Sequence, residues 1–215
     1  MDLEEIKFIA LFLKKLGTKQ IIITGYGEQL THPHFKEAVH IFHRQHFRMS
    51  LVTNGTLIGK YPAKIFKMFS EIVISLNSLN RETYKLIRGR DKLKEVKQNI
   101  NRLLSENINV TISMTLQKAN YREVREMAEF CAKKGMKLIL YLATSSEELK
   151  MNTKPLSKRE IDFVIREVDN LKKYNVIIAP DYFKEMLRRD RTKEPIRGDV
   201  LGLFIPTLFF PTGMC

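Results

Sequence analysis

The 215-residue sequence predicts an α/β protein built on a parallel sheet. Two observations carry this. Five short runs rich in Ile, Val and Leu alternate with segments whose apolar residues fall at helical spacing. The runs are apolar nearly throughout, as strands covered on both faces are. An open doubly wound sheet and a partial or complete barrel share this pattern, and periodicity leaves both open. In either architecture function gathers at the carboxyl ends of the strands.

The elements follow in order. Leu3 to Leu16 forms an amphipathic helix with Leu3, Ile6, Ile9, Leu13 and Leu16 on one side and Gly17 as its stop. Gln20 to Thr24 is the first strand and ends in Gly25-Tyr26-Gly27. A helix from about His34 to His46 leads to the strand Met49 to Thr53, closed by Asn54-Gly55, and one around Ala63 to Phe69 leads to Glu71 to Leu76. Helical patterns over Arg81 to Ile87 and Leu93 to Ser105 precede the strand Asn109 to Met114. Tyr121 to Lys134, closed by Gly135, leads to Lys137 to Leu142. Beyond residue 143 the composition shifts: a polar loop to Pro155, a charged helix from Ser157 to Tyr174, a candidate strand at Val176 to Ile178, and a basic stretch from Lys184 to Arg197. Residues 1–143 are therefore expected to form the core and 144–215 a C-terminal extension.

Composition narrows the classes. With 44% hydrophobic residues the chain has the material for a core, which excludes general disorder. The 2 cysteines, Cys131 and Cys215, exclude a disulfide framework and any all-cysteine metal site held by this chain alone. The longest apolar stretch, Leu201 to Pro211, is interrupted by proline and short of the ~18 residues of a spanning helix. The acidic N-terminus is unlike a signal peptide, so a soluble, cytoplasmic protein without membrane partners is expected. The net charge of +13 permits nucleic-acid binding by a basic α/β domain, but acids are interspersed among the basic residues and no stacking motif accompanies them.

Chemistry is suggested at the strand ends. Gly25 and Gly27 let the backbone approach a ligand closely, and Glu28 beside them makes the loop a set of acceptors suited to an ammonium group rather than a phosphate. The alternative is a tight turn with a solvated Glu. Thr53-Asn54-Gly55 closes the second strand and is first of all a turn signal. Ser75 and Asn77 put polar groups on one side of the third strand, as Thr111, Ser113 and Thr115 do on the fourth. All five histidines lie between His32 and His46; His40 and His43 stand at helical i, i+3 spacing, but no third ligand accompanies them, and no metal site is expected.

Taken in order, Ile22 to Pro33 (ITGYGEQLTHP), Leu51 to Leu57 (LVTNGTL), Val73 to Asn77 (VISLN) with Glu82-Thr83, and Ile87-Arg88-Gly89 resemble the core of the radical S-adenosylmethionine (radical SAM) enzymes, over about Leu3 to Leu142. The nearest members of that family in pattern are those that modify peptides or make cofactors. The resemblance implies a partial (βα)6 barrel of TIM type, with strands 2 to 6 present here and the first strand and cluster loop missing. It implies that Gly25, Gly27 and Glu28 hold the amino group of S-adenosylmethionine. Thr53, Asn54, Ser75 and Asn77 would lie near the ribose and the methionine carboxylate, with Arg88 as a carboxylate partner. Gln29 stands where the family has proline, a departure expected to loosen the loop.

The family also carries a Cys-x3-Cys-x2-Cys loop for a [4Fe–4S] cluster, placed upstream of the helix that begins this sequence. The cluster ligands are absent here, so the chain is expected to be a truncated core, inactive alone, with Cys215 either an ordinary terminal cysteine or the start of an auxiliary-cluster region. A complete version would cleave S-adenosylmethionine reductively to a 5′-deoxyadenosyl radical that abstracts hydrogen from a small-molecule or peptide substrate, with a ferredoxin or flavodoxin as reductant. A cluster-less core serving as a binding or partner module is the other expectation.

Overall fold

The computed structural model describes residues 1–25, 27–143 and 156–171. The elements are α1 (Leu3–Lys15), β1 (Gln20–Ile23), α2 (Phe35–Arg44), β2 (Arg48–Thr53), α3 (Ala63–Phe66), β3 (Glu71–Ser75), α4 (Arg81–Arg88), α5 (Leu93–Ser105), β4 (Val110–Leu116), α6 (Val124–Lys133), β5 (Lys137–Leu142) and α7 (Lys158–Leu171). All five expected strands are present. The expected loop over 144–155, the candidate strand Val176 to Ile178, the basic stretch Lys184 to Arg197 and Cys215 lie outside the described residues.

The strands form one parallel sheet in the order β1-β2-β3-β4-β5. This order separates the two architectures that periodicity left open. Crossovers between parallel strands are right-handed, so a strand order that never reverses puts every connecting helix on the same side of the sheet. A doubly wound sheet needs a reversal; a barrel wall does not. The fold is thus an α/β barrel sector of TIM type.

Alternation along the strands confirms the one-sided layering. Met49, Leu51, Ile72, Ile74, Ile112, Met114, Leu138 and Leu140 are fully buried beneath the helices. Each such side chain contributes roughly 1.5–3 kcal/mol relative to exposure. Residues one position away point to the opposite, open face. There Val73 lies between Val52 and Thr111, Ser113 between Ser75 and Ile139, and Thr115 beside Tyr141. Ile22 and Tyr141, on this face, are 52% and 44% exposed. Its lower rim is tied by Thr111 Oγ1 donating to Glu71 Oε1 at 2.6 Å. Among the described residues no helix is long and apolar enough to cross a membrane.

Helix ends follow local chemistry. Asp2 and Glu5 form a reciprocal capping box on α1. Asn80 caps α4 by accepting from the Glu82 and Thr83 amides, and Gly89 ends it in the left-handed conformation. The second cap matters for function because it fixes the last turn of α4, where Arg88 stands.

Candidate functional site

The ends of β1 and β2 are joined through one carboxylate. The chain leaves β1 at Thr24, and Gly27 adopts a positive φ of 96° with open space where a Cβ would stand. Glu28 returns to extended backbone and caps a short 3-10 turn over Gln29–Thr31. Its Oε1 accepts from Thr53 Oγ1 at 2.6 Å and from the Leu30 amide at 3.3 Å, and its Oε2 accepts from the Asn54 amide at 2.8 Å. The structure thus brings Glu28, Thr53 and Asn54 together, with the Glu28 carboxylate acting as a strap between the two loops. Replacing Glu28 with alanine is expected to destabilise the fold by about 1–3 kcal/mol, because two donors of the second loop lose their acceptor. Urea unfolding measures this, and an unchanged midpoint would contradict the strap.

The second loop is held from behind as well. Asn54 Oδ1 accepts from the amide and hydroxyl of Thr56. From α5, Asn99 donates to Gly55 O at 2.8 Å, and Arg102 donates to Ile58 O and Tyr61 O. Asn99 and Arg102 were not singled out from the sequence; an amide on the apolar face of α5, among Val96, Ile100 and Leu103, was the available signal.

At the end of β3 the arrangement is electrostatic. Arg88 reaches back from α4 and donates through Nη2 to Ser75 O. Its Nε is buried with no hydrogen-bond partner among the described residues. Burial depresses the guanidinium pKa below its ordinary value, opposed by Tyr84 and by Glu28, whose charge Arg88 senses across the strand ends. The half-buried cation therefore carries a donor that no described residue accepts from.

Asn77 has a different setting. It is buried, its Oδ1 accepts from the Thr115 amide at 3.1 Å, and Asn120 donates to Asn77 O and Thr115 O at 2.7 and 2.9 Å. Asn120, which sequence reasoning missed, ties the ends of β3 and β4 together. Asn77 is thus joined to β4 rather than to the Glu28 and Arg88 groups.

Chemically, the adjoining ends of β1, β2 and β3 offer backbone carbonyls at Gly25 and Gly27, the Arg88 cation with a donor unpaired among the described residues, and the Ser75 hydroxyl, with Ser113 and Thr115 adding hydroxyls from β4. Two strand spacings, about 10 Å, separate the outer pair. One small zwitterion with an ammonium and a carboxylate matches that set of groups.

Metal chemistry finds less. Among the described residues no group of three or more His, Cys, Asp or Glu side chains could hold a metal ion. Cys131 is fully buried on α6, within the helix-facing layer, and burial pushes its thiol up to about 12. It is expected to resist iodoacetamide at pH 8 until urea unfolds the chain, as mass spectrometry of its peptide reads; rapid labelling of the native chain would contradict this.

Comparison with known proteins agrees with this layout. The family model described as "Radical SAM superfamily" matches residues 1–131. A Methanothermobacter thermautotrophicus protein described as "Probable GTP 3′,8-cyclase" is 34% identical over 151 residues, 67% of this chain and 48% of its own length. The Bacillus subtilis antilisterial bacteriocin subtilosin biosynthesis protein AlbA is 28% identical over 145 residues, 66% of this chain and 32% of its own. Among solved structures, Streptococcus suis SuiB superposes with a TM-score of 0.69 at 14% identity, covering 81% of this chain and 41% of that one. The chain spans about half the length of the curated cyclase relatives it matches. With more than half of its residues matched by the family model and a sheet whose motifs fall at the expected strand ends, the chain belongs to the radical SAM superfamily.

Proposed function

We propose that the carboxyl ends of β1 to β3 hold S-adenosylmethionine, and that the chain is the cosubstrate-binding core of a radical SAM enzyme. The observation that supports this is Arg88, a half-buried guanidinium at the end of β3 whose Nε has no partner among the described residues, two strands from the Gly25–Gly27 loop. In this reading Gly25 and Gly27 carbonyls accept from the ammonium, and Arg88 binds the methionine carboxylate through Nε. Ser75 lies near the ribose, with Thr53 and Asn54 supporting the site through Glu28 and Asn77 supporting it from β4. Bound S-adenosylmethionine supplies, on one-electron reduction of its sulfonium, a hydrogen-abstracting alkyl radical. The residues of this chain bind it, orient it and keep one side of it dry.

The relatives suggest the substrate classes. Some are described as GTP cyclases, and one SuiB structure is described as bound to its precursor peptide SuiA. A nucleotide or a peptide presented to the open face is the substrate this reading expects, with a ferredoxin or flavodoxin class reductant. An iron–sulfur cluster finds no seat on the described residues, since Cys131 is buried as a neutral thiol among apolar groups. Residues 144–215 are read as an extension of the core.

Calorimetric titration of the 215-residue chain tests the binding claim. Saturable one-to-one binding of S-adenosylmethionine is expected, with decarboxylated S-adenosylmethionine about tenfold weaker or worse. Equal affinity for both, or no saturable binding, would overturn it.

A further inference from the structure

Gln29 follows the Glu28 strap and opens the short turn after β1. With its amide turned so that both ends are satisfied, its nitrogen donates to Val52 O at 2.8 Å and its oxygen accepts from Gly25 N at 2.9 Å. The location explains why an amide is useful there. The register of β1 and β2 runs from Gln20 beside Arg48 to Ile23 beside Leu51, after which the first chain turns away toward Gly25. At that divergence β2 presents a carbonyl at Val52 and the loop presents an amide at Gly25. A side-chain amide carries the same donor and acceptor as a peptide unit, so Gln29 fills the gap as one further rung between the two chains.

The consequence falls on the loop. Peptide planarity means that holding the Gly25 N–H also fixes the Thr24 carbonyl on the same unit. Gly25 and Gly27 are exposed and, as glycines, have the widest choice of backbone conformation. Among the described residues a further tie stands beyond Gly27, at Glu28. The Gln29 amide supplies the tie on its near side. The proline expected here from the family pattern has neither group on its side chain, so Gln29 offers a tie that proline does not.

We propose that Gln29 is a positioning residue: by bridging Gly25 N and Val52 O it anchors the near end of the Gly25–Gly27 loop, with the Thr24 carbonyl, from which the loop's acceptors meet an ammonium group. This rests on the reading that the loop holds the amino group of S-adenosylmethionine.

The test uses Gln29→Met, which keeps side-chain length and removes both hydrogen bonds, in the full 215-residue chain. Amide hydrogen exchange at Gly25 is expected to accelerate about tenfold, while the β4 amides keep their rates and report an intact fold. Affinity for S-adenosylmethionine is expected to fall roughly 3- to 10-fold, with affinity for its analogue lacking the α-amino group changing less than twofold. A second variant, Gln29→Glu, keeps an acceptor for Gly25 and is expected to retain most of the Gly25 protection. Unchanged Gly25 exchange in Gln29→Met, or equal loss for both ligands, overturns the proposal while the functional reading stands. Failure of the wild-type chain to bind S-adenosylmethionine overturns that reading and the proposal with it.

Discussion

Replacing Arg88 with methionine is expected to weaken binding of S-adenosylmethionine about 30-fold or more while leaving the fold as stable as before, or more so. The two effects come from one cause. Arg88 is desolvated, donates to Ser75 O, and keeps a buried Nε with no acceptor among the described residues. A charge buried without its full set of partners costs folding free energy, and an apolar side chain of similar volume removes that cost. Binding loses in the same substitution, because truncating one partner of a buried charged pair typically costs about 2–5 kcal/mol, which is about 30-fold upward in affinity. Arg88→Lys is expected to fall between, since an ammonium cannot reach Ser75 O and a carboxylate with one planar fork. Titration calorimetry and urea unfolding on the same variants measure both sides. A methionine variant that binds normally, or one that loses several kcal/mol of stability, would contradict the assignment of Arg88 to the ligand.

Gly55→Ala is expected to be the most damaging single methyl in the site. Gly55 sits at φ 80°, and a Cβ there would meet Ile74 Cγ2 at 2.9 Å and Val96 Cγ1 at 3.3 Å. The left-handed backbone costs about 1–3 kcal/mol for a residue with a side chain. Overpacking against a fully buried isoleucine adds about 1–3 kcal/mol. The displaced loop carries Asn54, whose amide Glu28 holds, and Gly55 O, which Asn99 holds, so ligand binding is expected to weaken with stability. Gly135→Ala is the matched control. Gly135 has φ 66° and nothing within 4 Å of the added carbon, so only the backbone penalty applies. Urea midpoints of the two variants should therefore differ; equal losses would mean that the packing of the second loop against β3 and α5 is not what the glycine serves.

What could be read in the sequence was what depends on local repetition. The five strands and the helices between them follow from periodicity, and the positions of the functional loops follow from motifs at strand ends. Strand order did not, because a right-handed crossover can set the next strand on either side of the last one. The site was legible as a set of residues and not as a set of contacts. Glu28 stood out as a carboxylate beside two glycines, yet its bonds run to Thr53 and Asn54, on a loop 25 and 26 residues away. Thr111 belonged to a stripe of strand hydroxyls, but it is spent on Glu71 at the opposite end of the sheet from the ligand groups. Asn77 looked equivalent to Ser75 by alternation, whereas Asn120 and Thr115 enclose it. Gln29 was visible only as a departure from a pattern. Its meaning depends on where β1 and β2 diverge, which no local feature encodes.

The central claim is that a zwitterionic ligand, S-adenosylmethionine, sits at the carboxyl ends of β1 to β3. Amide chemical-shift mapping of the isotope-labelled 215-residue chain on titration with S-adenosylmethionine tests it most directly. Perturbations concentrated at Gly25, Gly27, Asn54, Ser75 and Arg88, with the amino-end residues Lys19, Arg48 and Lys137 unmoved, are the predicted result. Perturbations gathered at those amino ends, where basic side chains begin the strands, would contradict it.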